Sequence, residues 1–353
     1  MAERVLMKGN EAIAEAAIQA GCRHYFGYPI TPQTEVAAYM AKRMPKIGGT
    51  FLQAESEIAS INMVYGAAAA GMRVMTSSSS PGISLKGEGL SYIAGSDVPA
   101  FVVNVQRGGP GLGGIQPSQS DYFQATKGGG HGDYHMIVLA PASVQEMASL
   151  TAKGFNLADK YSMISMILAD GTIGQMMEPI TFEDVVVEHY DKPWALTGTQ
   201  CKREHNIVNS LYLQPEVLER KNLERYAKYQ VVEENEVLYE TYMMDDADCC
   251  VVAFGIAARV AKNAVVAARA EGIKAGLIRP ITLWPFPKKV LRDAADQVKS
   301  FISVELNMGQ MIDDVRLATE CRRPVTLCNR VGGMIPSPDQ VLQSIRDAEK
   351  GGH

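Results

Sequence analysis

The amino-acid sequence predicts an α/β protein with two domains. Continuous apolar runs, typical of buried parallel strands, alternate with alanine-rich segments of helical periodicity. The chain has 353 residues, which is enough for about two domains of roughly 150 residues. Positions 215–248 carry 14 charged residues, whereas only 21% of the whole chain is charged. We therefore expect one α/β domain over residues 1–185, a charged connector over 186–246 and a second, smaller α/β domain over 247–353.

Short apolar runs predict the strands of the first domain, and apolar residues at helical spacing predict its helices. Gly21 and Gly71 end two of these helices, and Ser143 with Glu146 forms a capping box that opens a third. The predicted elements are helices over 10–20, 58–70 and 143–159 and strands over 24–27, 74–76, 100–105, 136–140 and 163–169.

The same patterns return in the last third of the chain. One amphipathic helix is expected in the connector, indicated by the spacing of Val217, Leu218, Tyr226 and Tyr229. The predicted elements of the second domain are helices over 256–270, 288–298 and 338–348 and strands over 249–254, 274–278, 301–304 and 324–327.

Composition excludes several classes of function. With 34 basic and 39 acidic residues the net charge is −5, so the chain lacks the basic surface that nucleic-acid binding requires. No apolar stretch approaches the ~18 residues of a membrane span. Residues 1–8 lack the apolar core of a signal peptide. We therefore expect a cytoplasmic protein that binds neither nucleic acid nor membrane.

The cysteine pattern is also informative. The chain has six cysteines and no Cys-x-x-Cys pair. This argues against a zinc site, and against an iron–sulfur cluster held by this chain alone, so no metal ligand is assigned. We expect the cysteines to be buried, reduced thiols.

A proline-rich loop is the first candidate for ligand binding. Tyr28-Pro29-Ile30-Thr31-Pro32 follows the strand over 24–27, and its two prolines hold the Thr31 hydroxyl in a stiff loop. A fixed hydroxyl at the carboxyl end of a strand suits ligand binding. A proline-stiffened turn without a ligand explains the segment equally well.

Glu57, at the start of the alanine-rich helix, is the second candidate. A carboxylate there ordinarily complements the helix dipole. However, Gly66 lies nine residues further on, a spacing similar to that of the cofactor-activating glutamate in enzymes that use thiamine diphosphate. Glu55 is the alternative carboxylate on the same segment, without that spacing.

Taken together, the residues resemble the alpha subunit of the 2-oxoacid:ferredoxin oxidoreductases, in the pyruvate:ferredoxin oxidoreductase superfamily. The resemblance spans nearly the whole chain. It is carried by Tyr28–Pro32, the Glu57 helix, Arg107 after the strand over 100–105, Gly130-His131-Gly132 and the string Arg279-Pro-Ile-Thr-Leu-Trp-Pro-Phe-Pro287. The first and last of these strings are specific, whereas the His-Gly pair is weak.

The resemblance implies a thiamine-diphosphate-binding fold whose pyrimidine-type domain is followed by a domain similar to the carboxyl-terminal domain of transketolase. It implies a partner beta subunit with the diphosphate and Mg²⁺ site, partner-held [4Fe-4S] clusters, and gamma and small ferredoxin-like subunits. CoA would be the co-substrate and ferredoxin the electron acceptor. Tyr28, Pro29 and Ile30 would lie at the cofactor, and Glu57 would hydrogen-bond N1′ of its aminopyrimidine. Desolvation can adjust the proton affinity of a glutamate, which suits it to exchanging a proton with that nitrogen.

Arg107 is the candidate substrate anchor. It emerges from a predicted strand into a glycine-rich loop that begins with Gly108 and Gly109. A guanidinium can hold a carboxylate through two parallel hydrogen bonds, so Arg107 with Thr31 is expected to grip a 2-oxoacid. The glycines let the backbone approach a ligand closely. The alternative for Arg107 is a surface salt bridge.

Two other classes of function compete with this interpretation. Gly109-x-Gly111-x-x-Gly114 follows a strand and formally matches the dinucleotide-binding fingerprint. Pro117 and polar turn formers stand where that fingerprint requires a helix. A noncatalytic assembly subunit would have the same domains, but it leaves Thr31, Glu57 and Arg107 together unexplained.

Two segments have weaker interpretations. His131 is a secondary candidate near the cofactor, although a loop histidine is more often solvated or bonded to backbone. Glu305–Gln310 follows a strand of the second domain. We expect it to face a subunit interface and assign it no chemical role.

The glycine-rich loop favours a branched-chain substrate. Relatives acting on 2-oxoglutarate tend to follow the arginine with Gly-Pro-Ser-Thr-Gly-x-Pro-Thr, whereas this chain has an apolar Leu112 and Ile115 in the loop. Burial of an aliphatic tail contributes about 0.8 kcal/mol per methylene, and a second carboxylate would lose its water without gaining a partner. We expect 3-methyl-2-oxobutanoate and similar branched-chain 2-oxoacids, with 2-oxoglutarate as the alternative.

Overall fold

A computed structural model describes residues 4–183 and 185–350. Residues 1–3 and 184, in the predicted first domain, and residues 351–353, in the predicted second domain, lie outside the described residues. The described strands form a seven-stranded sheet, a five-stranded sheet and a two-stranded antiparallel pair. Helices alternate with these strands, so the predicted α/β class is confirmed.

The helices and strands predicted within residues 1–185 are all present, with bounds that differ by at most two residues. Gly21 and Gly71 follow two helices with φ values of +88° and +82°, a left-handed conformation that glycine adopts without strain. The elements are β1 (Val5–Lys8), α1 (Gly9–Gln19), β2 (His24–Gly27), α2 (Thr34–Arg43), a 3₁₀ turn (Met44–Ile47), β3 (Thr50–Gln53), α3 (Glu57–Ala69), β4 (Val74–Ser78), α4 (Ser80–Gly95), β5 (Ala100–Gln106), α5 (Tyr122–Thr126), β6 (Ile137–Leu139), α6 (Val144–Tyr161), β7 (Ile164–Asp170), α7 (Gly171–Gln175) and β8 (Met177–Ile180).

The elements predicted after residue 246 are also present within two residues of their expected bounds. The remaining elements are α8 (Pro215–Asn235), β9 (Tyr239–Tyr242), β10 (Cys249–Ala253), α9 (Gly255–Ala270), β11 (Ala275–Pro280), β12 (Thr282–Trp284), α10 (Lys288–Gln297), β13 (Ser300–Glu305), α11 (Met311–Ala318), β14 (Val325–Asn329) and α12 (Pro338–Lys350). The five-stranded sheet has the order β14-β13-β10-β11-β9, and only β9 runs antiparallel to its neighbour.

The seven-stranded sheet has the order β12-β6-β7-β5-β4-β2-β3. Its strands pair in parallel, except that β12 is antiparallel to β6. Every residue of β5 and β7 is buried, which explains why these strands appear in the sequence as continuous apolar runs. Because parallel strands run in one direction, the loops that follow β3, β2, β4 and β5 meet at one edge of the sheet.

Strand β12 connects the two sheets. In sequence it follows β11 of the five-stranded sheet, but it pairs with β6 of the seven-stranded sheet. Arg279 at the end of β11 donates to both carboxylate oxygens of Glu146 at 2.9 and 2.7 Å, and to Glu240 at 2.9 Å. The Arg279–Pro287 string therefore fastens the second domain to α6 through a bidentate guanidinium–carboxylate pair.

The Glu305–Gln310 segment has a structural role that the sequence does not reveal. The buried Glu305 carboxylate accepts hydrogen bonds from the backbone N–H groups of Gln310, Met311 and Ile312 at 2.8–3.0 Å. The carboxylate thus satisfies N–H groups that the start of α11 would otherwise leave unpaired.

The same segment also contacts the first domain of its own chain. The Asn307 amide donates to the carbonyl of Gln119 at 2.9 Å, and the Gln310 amide donates to the carbonyl of Ser120 at 2.8 Å. Met308, in contrast, is left with 77% of its surface exposed. The segment expected to face a subunit interface therefore joins the two domains and borders the site described below.

Two expectations about exposure are wrong. Cys201 and Cys321 are exposed, whereas the other four cysteines are buried, because these two lie in irregular segments outside the packed sheets. On α8, Leu218 and Tyr226 belong to the apolar face predicted from the sequence, but 41% and 42% of their surface is exposed. The helix buries a face centred on Arg225, Tyr229 and Val232 instead.

Two classes of feature are missing from the described residues. None of their helices combines the length and the apolar character that a membrane span needs. Their His, Cys, Asp and Glu side chains also form no group of three or more that could hold a metal ion.

Replacing Glu305 with glutamine is expected to lower the free energy of unfolding by about 1.5–3 kcal/mol, the usual contribution of hydrogen bonds to a charged group. The amide keeps the shape but loses the negative charge that three N–H groups share. Urea unfolding of the variant measures the effect, with the exposed Glu234→Gln as the matched control. Equal midpoints for the two variants would contradict this role.

Candidate active site

Four loops at one edge of the seven-stranded sheet carry the candidate residues. Thr31 follows β2, Glu57 follows β3, Ser78 ends β4 and is followed by Ser79, and Arg107 follows β5. Since β5, β4, β2 and β3 are consecutive neighbours in the sheet, residues far apart in sequence are brought to one place. Open parallel sheets typically bind ligands at this edge.

The proline-rich loop is fixed by Gln33, a buried residue that the sequence analysis does not single out. The Gln33 side chain donates to the carbonyl of Tyr28 at 3.2 Å and accepts from the Ser77 hydroxyl at 2.5 Å. Its backbone N–H donates to the carbonyl of Ile30 at 3.2 Å. The loop is therefore tied at both ends to β2 and β4, while the Thr31 side chain stays exposed.

Arg107 is a buried cation without a counter-ion among the described residues. Its side chain is only 7% exposed, and it donates to the backbone carbonyls of Thr31 at 2.9 Å and Leu112 at 3.3 Å. Its Nε has no hydrogen-bond partner. This arrangement differs from the surface salt bridge considered as the alternative. Burying an unpaired charge is costly, and the carboxylate of a ligand would offset that cost.

Glu57 is buried at the first position of α3, where Ser56 caps the helix by accepting from the backbone N–H of Ala59 at 3.2 Å. Its carboxylate makes no hydrogen bond or ion pair with any described side chain. Glu55, by contrast, is exposed and bonds to the neighbouring Ser56. Burial thus separates the two carboxylates that the sequence leaves as alternatives.

A small cradle surrounds the Glu57 carboxylate. Gly82 on α4 packs so closely that a Cβ there would lie 2.6 Å from Glu57 Oε1 and 2.1 Å from Ser78 Oγ. The hydroxyls of Ser78 and Ser79 are buried and lack partners within the described part of the chain. A polar ring system with hydrogen-bonding nitrogens, such as the aminopyrimidine of thiamine diphosphate, would satisfy these groups.

Gly66, whose spacing first indicated Glu57, is not required by the fold of this chain. A Cβ at this position would meet no described heavy atom within 4 Å. Nearby on the same helix, Ile58 and Met63 are 50% and 36% exposed. The exposed side of α3 therefore carries the apolar Ile58 and Met63 together with the polar Asn62.

A cavity of about 550 Å³ lies beside Arg107 between the two domains. Its first-domain lining includes Ser80 and Asp121, which are joined by a 2.6 Å hydrogen bond. Burial raises the pKa of the Asp121 carboxyl, and hydrogen bonds from Ser80 and Asn104 oppose that shift. Arg107 is the one cation among the lining residues that the structure describes.

The apolar part of the cavity wall differs from the sequence expectation. Leu112 and Ile115 are 84% and 60% exposed and do not line the cavity. Its apolar side chains include Leu306, Met308 and Val331 of the second domain. These residues are not apparent from the sequence because they lie about 200 residues from Arg107, and only the contact between domains brings them to the site.

The secondary candidates have different surroundings. His131 is exposed and lines a separate cavity with Tyr92 and Arg225. Gly108 is buried beside Gly333, and Gly109 is exposed, so neither is forced to be glycine by a described neighbour. The required glycine is Gly113, whose Cβ would lie 1.9 Å from the carbonyl oxygen of Gly108 and whose φ is +57°.

No helix opens at Gly114, and the next helix is α5, which begins at Tyr122. The glycine-rich loop therefore lacks the helix amino terminus on which a dinucleotide-binding fingerprint depends. This confirms the sequence argument against a nicotinamide or flavin site at this loop.

Comparison with protein-family models identifies both parts of the chain. Residues 15–243 match the thiamine-diphosphate-binding domain of the pyruvate flavodoxin/ferredoxin oxidoreductases. Residues 247–341 match core domain II of pyruvate:ferredoxin oxidoreductase.

Curated relatives match over nearly the full chain. The ketoisovalerate oxidoreductase subunit VorB of Methanothermobacter marburgensis is 53% identical over 343 residues, covering 97% of each chain. The 2-oxoglutarate synthase subunit KorA of the same organism is 36% identical, covering 98% of this chain and 99% of the relative.

A solved structure is also similar. It is the 2-oxoglutarate:ferredoxin oxidoreductase from Magnetococcus marinus with 2-oxoglutarate, coenzyme A and succinyl-CoA bound. The TM-score is 0.86 with 31% sequence identity over 98% of this chain, which spans 65% of the length of that longer chain.

These similarities confirm the predicted thiamine-diphosphate-binding and transketolase-like fold class. They also confirm the family indicated by the Tyr28–Pro32 and Arg279–Pro287 strings. The chain belongs to the pyruvate flavodoxin/ferredoxin oxidoreductase family of thiamine-diphosphate-binding oxidoreductases.

Proposed function

We propose that this chain is the alpha subunit of a thiamine-diphosphate-dependent 2-oxoacid:ferredoxin oxidoreductase. The complex would convert a branched-chain 2-oxoacid and CoA to an acyl-CoA, carbon dioxide and reduced ferredoxin. The observation that carries this proposal is that Glu57 and Arg107 are both buried, without an ion-pair partner among the described residues, on loops at the same edge of one sheet. A noncatalytic assembly subunit would gain nothing from burying two charges without partners.

Glu57 would hold and move the proton at N1′ of the aminopyrimidine. Its burial removes competing water, and its free carboxylate is available for this hydrogen bond. Thiamine diphosphate, when bound, supplies an electron sink for the electron pair that remains when a 2-oxoacid loses carbon dioxide. Tyr28, Pro29 and Ile30 would form the wall beside the ring, in the loop that Gln33 fixes.

Arg107 would hold the substrate carboxylate, and Thr31 would add its exposed hydroxyl. The guanidinium is already oriented by its bonds to the Thr31 and Leu112 carbonyls, so little side-chain entropy is lost when substrate binds. An anchored carboxylate places the adjacent carbonyl group at a fixed position relative to the cofactor.

The lining of the cavity supports an aliphatic substrate tail. Leu306, Met308 and Val331 offer apolar surface, and no second cation lines the described cavity to receive the distal carboxylate of 2-oxoglutarate. The relative named for ketoisovalerate is 53% identical to this chain, and the relative named for 2-oxoglutarate is 36% identical. We therefore favour 3-methyl-2-oxobutanoate and other branched-chain 2-oxoacids as substrates.

Partner subunits complete the proposed enzyme. A beta subunit would contribute the diphosphate and Mg²⁺ site and a [4Fe-4S] cluster, with gamma and small ferredoxin-like subunits passing electrons to ferredoxin. The exposed side of α3, which carries the apolar Ile58 and Met63, suits burial against the beta subunit. The open space at Gly66 leaves room for close approach of that partner.

Replacing Glu57 with glutamine is expected to lower the turnover of the assembled complex by roughly 10²- to 10⁴-fold, the usual loss when acid–base assistance is removed. The amide keeps the shape but no longer exchanges a proton with the ring. Glu55→Gln is the matched control, because that side chain is exposed, and it should keep wild-type turnover. The assignment fails if the two variants behave alike.

The substrate proposal predicts a higher kcat/KM for 3-methyl-2-oxobutanoate than for 2-oxoglutarate. An anaerobic assay of the assembled complex with CoA and a viologen acceptor measures both values. Replacing Met308 with lysine adds a cation to the cavity wall, so the ratio should move toward 2-oxoglutarate. A wild-type preference for 2-oxoglutarate would overturn the substrate while leaving the family unaffected.

A further inference from the structure

Lys86 is a buried cation for which the proposed reaction has no role so far. Its side chain on α4 is fully buried. The amine donates to the backbone carbonyl of Glu57 at 3.3 Å and also to the hydroxyl of Ser60. Both acceptors are uncharged, and Lys86 forms no salt bridge with any residue that the structure describes.

A lysine is an expensive residue at this position. Removing an ammonium group from water costs several kcal/mol unless a carboxylate compensates, and methionine would fill a similar volume at no such cost. The side chain is also unable to withdraw toward solvent, because α4 is packed tightly on both sides of it. A Cβ at Gly87 would lie 2.5 Å from the carbonyl oxygen of Gly129, and one at Gly89 would lie 2.4 Å from Ile61 Cγ2.

Glu57 is the charged group that acts on this amine. Burial lowers the pKa of Lys86 to about 7, and attraction to the Glu57 carboxylate opposes that shift. Among the other charged side chains near α4, Asp121 bonds to Ser80 at the start of the helix, and Arg225 donates to the Gly95 carbonyl at its end. Glu88 is exposed and bonded to Tyr92, and His131 and Asp133 are exposed on the loop that packs against Gly87.

We propose that Lys86 is a positioning residue for Glu57, fixing the first turn of α3 through its hydrogen bonds to the Glu57 carbonyl and the Ser60 hydroxyl. This inference rests on the proposed role of Glu57. Losing the amine would leave the Glu57 carboxylate less well oriented, so cofactor binding and turnover should both weaken.

Lys86→Met and Lys86→Gln in the assembled complex test this role. Methionine removes the hydrogen bonds and the charge, whereas glutamine removes the charge and keeps a donor for the Glu57 carbonyl. Methionine and glutamine fill a volume similar to that of lysine, so both variants should fold and assemble. Glu88→Gln is the control, since it removes an exposed charge from the same helix.

Two measurements are needed for each variant. One is kcat/KM at neutral pH, and the other is the dissociation constant of thiamine diphosphate for the cofactor-stripped complex, measured by calorimetry. Lys86→Met should lower kcat/KM by up to about 100-fold, as misplaced catalytic groups do, and weaken cofactor binding. Lys86→Gln should recover most of both, because it keeps a donor for the Glu57 carbonyl.

The results separate this inference from the proposed function. Wild-type kcat/KM and cofactor affinities in both Lys86 variants would overturn the role of Lys86, and so would an equal loss of activity in Lys86→Met and Lys86→Gln. If Glu57→Gln in the same complex retains wild-type turnover, the proposed function itself fails. If Glu57→Gln is impaired and both Lys86 variants are normal, only the present inference fails.

Discussion

The parallel pairing of β5, β4, β2 and β3 is the constraint on which the site depends. Every residue of β4 and β5 is buried, so a slip of one residue in register would exchange the side chains packed on the two faces of the sheet and is disfavoured. The register therefore fixes where each strand ends. Thr31, Glu57 and Arg107 lie on loops at one edge of the sheet, although they span 76 positions of sequence.

Strong periodic patterns made much of the fold predictable from sequence. The long buried strands and the alanine-rich helices were found within two residues, because each satisfies a local rule. Helix α4 (Ser80–Gly95) was not predicted, since its serines and glycines indicate a loop. Tertiary packing overrides that local preference, because Gly82, Gly87 and Gly89 each lie against a neighbour that leaves no room for a side chain.

The candidate site was predictable where a residue follows a recognisable strand. Arg107 and Thr31 belong to this class, and the structure joins them directly through the Thr31 carbonyl. Lys86 was not predictable, because it lies in the unpredicted α4. Leu306, Met308 and Val331 were not predictable either, because only the association of two sheets carries them to the cavity. Leu112 and Ile115 were misassigned because proximity in sequence to Arg107 does not specify which way a glycine-rich loop presents its side chains.

The second domain is thus part of the site as well as a support for it. Glu305 organises the start of α11, Asn307 and Gln310 bind the first domain, and Met308 is left at the cavity mouth. On the opposite wall, the buried Arg107 guanidinium has no carboxylate partner among the described residues. One chain therefore holds a buried cation and an apolar wall across a single cavity.

The most direct test of this account is the kcat/KM of an Arg107→Met complex for its 2-oxoacid, compared with its KM for CoA. Losing one partner of a buried ion pair costs about 2 kcal/mol or more, or roughly thirtyfold or more in kcat/KM for the 2-oxoacid. The KM for CoA should remain that of the wild type. An unchanged kcat/KM for the 2-oxoacid would show that Arg107 is not the carboxylate anchor and would contradict the account.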